Sequence, residues 1–173
     1  MTRQPEPSDP ASNLARFQHQ LDLEALVQAG VAQGLSEPRL RACVAGLKPI
    51  FDSLAFGEQP AYEQLDQAAL ARLAPEIEFV ARAMAQSPTA DLRIAGLHVM
   101  GALDSPAFMQ DLQASLESAQ EWERIEAVRA LGRTTQPNAH ALLRSASSHP
   151  ELQTRQAAAS ALRQFDERAK GST

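Results

Sequence analysis

Apolar residues recur along this chain at helical spacing, and one stretch of the pattern repeats. The segment RIEAVRALG at 124–132 has counterparts 31 residues before and after it, RIAGLHVMG at 93–101 and RQAAASALR at 155–163. We call a set of equivalent positions, 31 residues apart, a column. One column holds only small residues (Gly96, Ala127, Ala158), and another holds larger apolar residues (Met100, Leu131, Leu162). Such columns arise where one packing site is used repeatedly. The pattern therefore predicts an equivalent helix in each of the three units.

A second amphipathic segment follows each of these helices at the same spacing. Pro75, Pro106 and Pro137 open the segments. Proline is well tolerated in the first turn of a helix, and a serine such as Ser105 before it can act as N-cap. Each unit is therefore predicted to be a pair of helices.

The positions of helix-breaking and helix-capping residues set the predicted boundaries of the units. Four units are expected within 58–173: a degenerate one at about 60–86, where Tyr62 replaces the arginine, then 87–118, 119–148 and a truncated one at 149–173. Residues 12–57 are predicted to form an N-terminal helical cap, because terminal units are usually atypical. Its second helix should kink at Pro49. Residues 1–11, with three prolines, are predicted to be a disordered tail.

The amino-acid composition is typical of an all-α protein and disfavours some classes of partner. Apolar residues make up 44% of the chain and aromatic residues 5%, which favours close-packed helices over a sheet. The net charge of -5 disfavours nucleic acid as a partner. No apolar segment reaches membrane-spanning length, so we expect no membrane insertion and a cytoplasmic protein. The basic residues are nearly all arginine, which suggests a GC-rich, bacterial genome.

The motif VRALG, followed by a short loop, a proline and a second amphipathic helix, resembles the HEAT-like repeats of the bilin-lyase type. The resemblance covers roughly residues 60–165. It implies an α-solenoid, a right-handed superhelix of helical hairpins, whose second helices line the concave side. It also implies that an aspartate in one loop pairs with the arginine that opens the next helix, as Asp104 could with Arg124.

Four residues are accordingly predicted to act structurally between units: Arg93, Asp104, Arg124 and Arg155. An alternative is that the arginines form a row that binds a ligand. Thr135 stands where an aspartate would serve Arg155, so the ladder is incomplete. Gly101 and Gly132 are interpreted as helix ends that need a left-handed conformation.

The chain offers little catalytic chemistry. No two histidines lie four residues apart, and nucleotide-binding, hydrolase and CxxC motifs are missing, so we predict no metal, no cofactor and no enzyme activity. Catalysis by scattered carboxylates stays open. Cys43 is expected to be a buried structural thiol rather than a reactive one, and His98, in a polar column, to be solvated. Trp122 is assigned to packing between units, with a binding anchor as the alternative.

Each second helix carries mostly polar residues next to its apolar side, and we name this set of positions the second-helix stripe. Its members are Glu78, Arg82, Gln86, Met109, Gln113, Glu117, His140, Arg144 and Ser148.

The leading hypothesis is a scaffold or adaptor that binds a protein or peptide through this stripe; a plain solvated face would look the same. Alternatives are a chromophore-handling or lyase-type enzyme related to bilin lyases, and a DNA-repair glycosylase, which would need a basic groove. The oligomeric state stays open.

Overall fold

A computed structural model describes residues 23–55, 58 and 62–171, and this part of the chain is helical without any β-strand. Its ten α-helices are α1 (Leu23–Ala32), α2 (Glu37–Gly46), α3 (Lys48–Ala55), α4 (Gln67–Ala71), α5 (Ala74–Ala85), α6 (Ala90–Leu103), α7 (Met109–Leu116), α8 (Glu121–Arg133), α9 (Pro137–Ala146) and α10 (Leu152–Gly171). The predicted all-α class is confirmed. The predicted tail at 1–11 and the first positions of the N-terminal cap lie outside the described residues.

Two rows of helices build the core. The helices that carry the repeated motif, α6, α8 and α10, pack consecutively side by side, and we call them the first helices. The second helices, α5, α7 and α9, each pack on the first helices but contact one another less. They begin as the prolines predicted: Pro137 opens α9, and Pro106 opens a 3-10 turn ahead of α7. The Ser105 hydroxyl caps that turn by accepting a hydrogen bond from the amide of Ala107.

Small residues allow the first helices to approach closely. A Cβ added to Gly101 would lie 2.8 Å from the Cα of Ala130, and one added to Gly132 would lie 2.9 Å from the Cβ of Ala161. Neither glycine has a positive φ, so the predicted left-handed conformation is wrong. Asp104 adopts it instead, with φ 45° at the end of α6. Gly101 and Gly132 are glycines because a neighbouring helix occupies the space of a side chain.

The N-terminal helices attach to the start of this arrangement. Where a kink at Pro49 was expected, the chain divides into α2 and α3 around Leu47, because Pro49 has no amide hydrogen to continue the helix. Arg39 of α2 binds the buried carboxylate of Glu76 on α5 at 2.8 Å, and this bond holds the pKa of Glu76 below its usual range. The degenerate unit has a 3-10 turn and the short helix α4 in place of one long first helix.

Helix α10 carries a charged residue where α6 and α8 have a glycine. Helix α10 has 20 residues, and Arg163 occupies the place in the 31-residue series held by Gly101 and Gly132. Its side chain is exposed. No helix in the described ranges is both long and apolar enough to cross a bilayer.

Candidate functional site

The arginines that open the first helices make one contact in common. A guanidinium nitrogen of Arg93, Arg124 and Arg155 donates to the backbone carbonyl six residues earlier, at 2.8, 2.5 and 2.9 Å. Arg124 also pairs with Glu151, and Arg93 lies 3.9 Å from a Glu123 oxygen. Each of these carboxylates belongs to the next helix pair or the loop before it. Arg93 and Arg124 thus reach carboxylates of the neighbouring helix pair, whereas Arg155 donates to carbonyls of the loop before its own helix.

Asp104 contacts a different partner from the one the resemblance implied. Its carboxylate accepts hydrogen bonds from the backbone amide of Thr135 at 2.8 Å and from the Thr135 hydroxyl at 2.5 Å. The side-chain amide of Gln136 donates to the backbone carbonyl of Asp104 at 3.0 Å. The expected pairing with Arg124 is wrong, since that guanidinium is turned toward Ser118 and Glu151. Asp104 therefore ties two successive inter-helix loops together.

Trp122 lies at one of these junctions. The guanidinium of Arg93 stacks over its ring at 5.1 Å, and the indole is half-buried. A cation over an aromatic face is attracted by the quadrupole of the ring. This geometry matches the packing role assigned to Trp122.

Arg82 of the second-helix stripe is already engaged within the fold. Its Nε lies 3.1 Å from a carboxylate oxygen of Asp111, and its Nη2 donates to the carbonyl of Ala107 at 2.7 Å. The guanidinium also lies 5.8 Å from the centre of the Phe108 ring. These contacts bridge α5 and α7. The sequence held a signal for this role, because Asp111 stands in a column with Val80 and Leu142, where an apolar residue is expected.

The remaining stripe residues divide by exposure. His140 is half-buried against Phe165 and lies 3.5 Å from Asp166, and Met109 packs against the core. Glu78 is partly exposed and makes a single long contact of 3.7 Å, to Arg82. The fully exposed members are Gln86, Gln113, Glu117, Arg144 and Ser148. The stripe is therefore an accessible surface along α7 and α9, with a structural bridge at Arg82.

A polar cluster that the sequence did not reveal lies between the first helices. The Tyr62 hydroxyl is 2.5 Å from Nδ1 of His98, and Nε2 of His98 is 3.3 Å from Oε2 of Glu126. Only 11% of the His98 side chain is exposed, so the prediction of a solvated histidine is wrong. The Arg133 guanidinium covers the Tyr62 ring at 3.8 Å. One sequence feature pointed to a special role for Tyr62, since it stands 31 residues before Arg93, where the other units have an arginine.

The electrostatics of this cluster oppose proton transfer at neutral pH. Burial, helped by Arg133 and Arg129, lowers the pKa of His98 to about 4. Burial raises the pKa of Tyr62 to about 12. A general acid or base works best with a pKa near the operating pH. Both values move away from neutrality, so the cluster suits holding helices in register better than acid–base catalysis.

Neither a metal site nor a reactive thiol emerges from the part of the chain that the structure describes. No three histidine, cysteine or carboxylate side chains there are grouped so as to hold an ion. Cys43 is completely buried, and burial raises its pKa to about 12. A thiol becomes nucleophilic only as thiolate. Cys43 is therefore suited to packing, as predicted from its apolar surroundings.

A small cleft opens beside the second-helix stripe, and we call it the Glu78 cleft. Its volume is about 80 Å³, and it lies between α4, α5 and the junction of α6 with α7. Its accessible apolar lining comes from Ala71, Ala74 and Leu103, and the buried side chains of Leu70, Ile77 and Phe108 lie behind it. Gln67, Glu78 and Ser105 supply polar atoms. The cleft thus combines an apolar wall with one carboxylate that also belongs to the stripe.

Comparison with known proteins adds no relative to this picture. No protein-family model matches the chain, and no curated protein matches it. The arrangement of the protein's own residues is therefore the basis for its function.

Proposed function

We propose that the protein is a HEAT-like interaction module, an α-solenoid that binds a protein or peptide partner along the second-helix stripe. The observation that carries the proposal is the exposure of Gln113, Glu117 and Arg144 on two successive second helices whose other sides are buried. These side chains have no role in the core that would account for their placement. The proposal depends on this exposure and not on the direction in which the helices curve.

The packing of the first helices supports the same proposal. Gly101 and Gly132 fix the spacing of α6, α8 and α10, and Asp104 and Arg124 tie the junctions between them. A row held in this way presents the side chains of the second helices in a fixed register. Preorganised side chains lose less entropy on binding. A rigid frame with a variable polar surface is what a specific adaptor requires.

A pair of charge-changing substitutions tests the stripe. We expect Gln113→Glu combined with Arg144→Glu to lower the recovery of a co-purified partner by about tenfold or more, a loss of about 1.4 kcal/mol in binding. The melting temperature should stay the same, because both side chains are exposed. Recovery is read by mass spectrometry after affinity purification from the native cell.

A matched control makes the same two changes elsewhere. Gln156→Glu with Arg163→Glu alters two exposed residues of α10 by the same charge. Unchanged recovery with this control and loss with the stripe variant supports the proposal; the reverse pattern refutes it. A visible absorption band in the purified protein would instead favour a chromophore-handling role.

A further inference from the structure

We propose that the Glu78 cleft receives one branched aliphatic side chain of the partner, with a lysine or arginine of the partner beside it paired to Glu78. The inference deepens the proposed function and rests on it for the identity of the ligand as a peptide. It begins from the position of Glu78, which is both a wall of the cleft and a member of the second-helix stripe.

The size of the cleft selects the side chain. An engineered cavity of about 150 Å³ in another protein accepts benzene. At about 80 Å³ the Glu78 cleft has roughly half that room, which favours an isobutyl or isopropyl group over an aromatic ring. Ala71, Ala74 and Leu103 supply the accessible apolar surface of its wall, with the buried Leu70 and Ile77 behind them, so an aliphatic group gains by leaving water there.

The charge at the rim selects the neighbour of that side chain. Arg82 directs its two shorter bonds to Asp111 and to the carbonyl of Ala107, and it reaches Glu78 only at 3.7 Å. The three charged groups Glu78, Arg82 and Asp111 sum to -1. The Glu78 carboxylate therefore has hydrogen-bonding capacity left for a cation. An acidic neighbour would be repelled, so the cleft also discriminates against acidic peptides.

The first arm of the test uses small probes and no natural partner. Leucinamide carries an isobutyl group and an ammonium, N-acetylleucine carries the same group with a carboxylate, and glycinamide carries the cation alone. We expect leucinamide to shift the methyl NMR signals of Leu70, Ile77 and Leu103 saturably, with a Kd in the millimolar range. The other two probes should give no saturable shift. Equal shifts with N-acetylleucine, or none with leucinamide up to about 50 mM, overturn the proposal.

Variants locate the binding within the cleft. Glu78→Gln should weaken leucinamide about three- to fivefold, in keeping with one partly exposed ion pair. Glu167→Gln, which removes an exposed carboxylate from α10, should leave the affinity unchanged. Ala74→Leu places a larger side chain at the wall of the cleft and should abolish the shifts. An unaltered affinity of Glu78→Gln refutes the assigned role of the carboxylate.

The second arm separates this inference from the proposed function. A displayed library of random peptides is selected on the intact protein and eluted with leucinamide. Enrichment of peptides with an aliphatic residue next to a basic one supports both proposals. Peptides that depend on Gln113 and Arg144 but resist leucinamide refute the cleft and leave the stripe. Saturable leucinamide binding with no enriched peptide supports the cleft and refutes the peptide-binding function.

Discussion

The buried histidine of the first-helix row makes the stability of this protein sensitive to mild acid. His98 is enclosed by Tyr62 and Glu126, with the cations of Arg129 and Arg133 close by. In the unfolded chain its pKa returns to about 6.5. The folded protein, with a pKa of about 4 at this position, therefore binds fewer protons than the unfolded chain between these two values.

The sign and size of the effect follow from this difference. As the pH falls below about 6.5, the unfolded state takes up a proton that the folded state resists, so the free energy of unfolding decreases. The full difference is worth about 3 kcal/mol at pH values below about 4. Between about pH 7 and pH 5 the expected loss is about 2 kcal/mol, within reach of a denaturation experiment.

The assay is urea unfolding followed by circular dichroism at both pH values. A His98→Gln variant provides the comparison, because its neutral amide can accept from the Tyr62 hydroxyl and donate to Glu126. We expect the wild-type protein to lose about 2 kcal/mol more than this variant between the two pH values. Staying at or above about pH 5 limits the contribution of carboxylates such as Glu24 and Glu76, whose pKa values are lowered by their partners.

A second variant guards against a general effect of losing a histidine. His149→Gln removes a histidine from the loop before α10 and leaves the cluster in place. It should keep the acid sensitivity of the wild-type protein. If the wild-type protein and His98→Gln lost the same free energy between the two pH values, the assignment of the effect to His98 would be refuted.

Three further predictions concern the packing. Gly101→Ala should destabilise the protein by about 1–3 kcal/mol in thermal melts, because its new methyl group meets the next helix, whereas Gly171→Ala, with open space around it, should be neutral. Arg124→Ala should cost about 2 kcal/mol, because this arginine is buried, while Arg41→Ala should leave the stability nearly unchanged despite two ion pairs, since it is exposed. Cys43 should resist iodoacetamide at about pH 8 in the native state and react once the protein is unfolded. An opposite ranking within either pair of variants, or rapid labelling of the native thiol, would contradict the reasoning.

Much of the helical arrangement could be predicted from the sequence, because it depends on local periodicity. Ala127 and Leu131 are buried as expected, and Pro137 opens a helix. The interpretation of Gly101 failed for a physical reason. A glycine is required both where φ is positive and where another backbone approaches, and a single sequence does not distinguish the two.

The candidate site was less predictable, because its contacts join distant segments. His98 and Tyr62 are 36 residues apart, and nothing in the column of His98 reveals that a tyrosine covers it. Arg82 was assigned to a partner from its place on the helix surface, while the structure shows it bound to Asp111. Spacing along a helix indicates which side a residue occupies. It does not indicate what the neighbouring helix places opposite it.

Arg163 lies 31 residues after Gly132, at the position equivalent to Gly101 and Gly132, and this has a consequence for engineering. A further helix pair grafted after α10 at the same spacing would have to press its backbone against the position of Arg163, where a long charged side chain stands. Lengthened versions of this protein should therefore need Arg163→Gly before any added unit can dock.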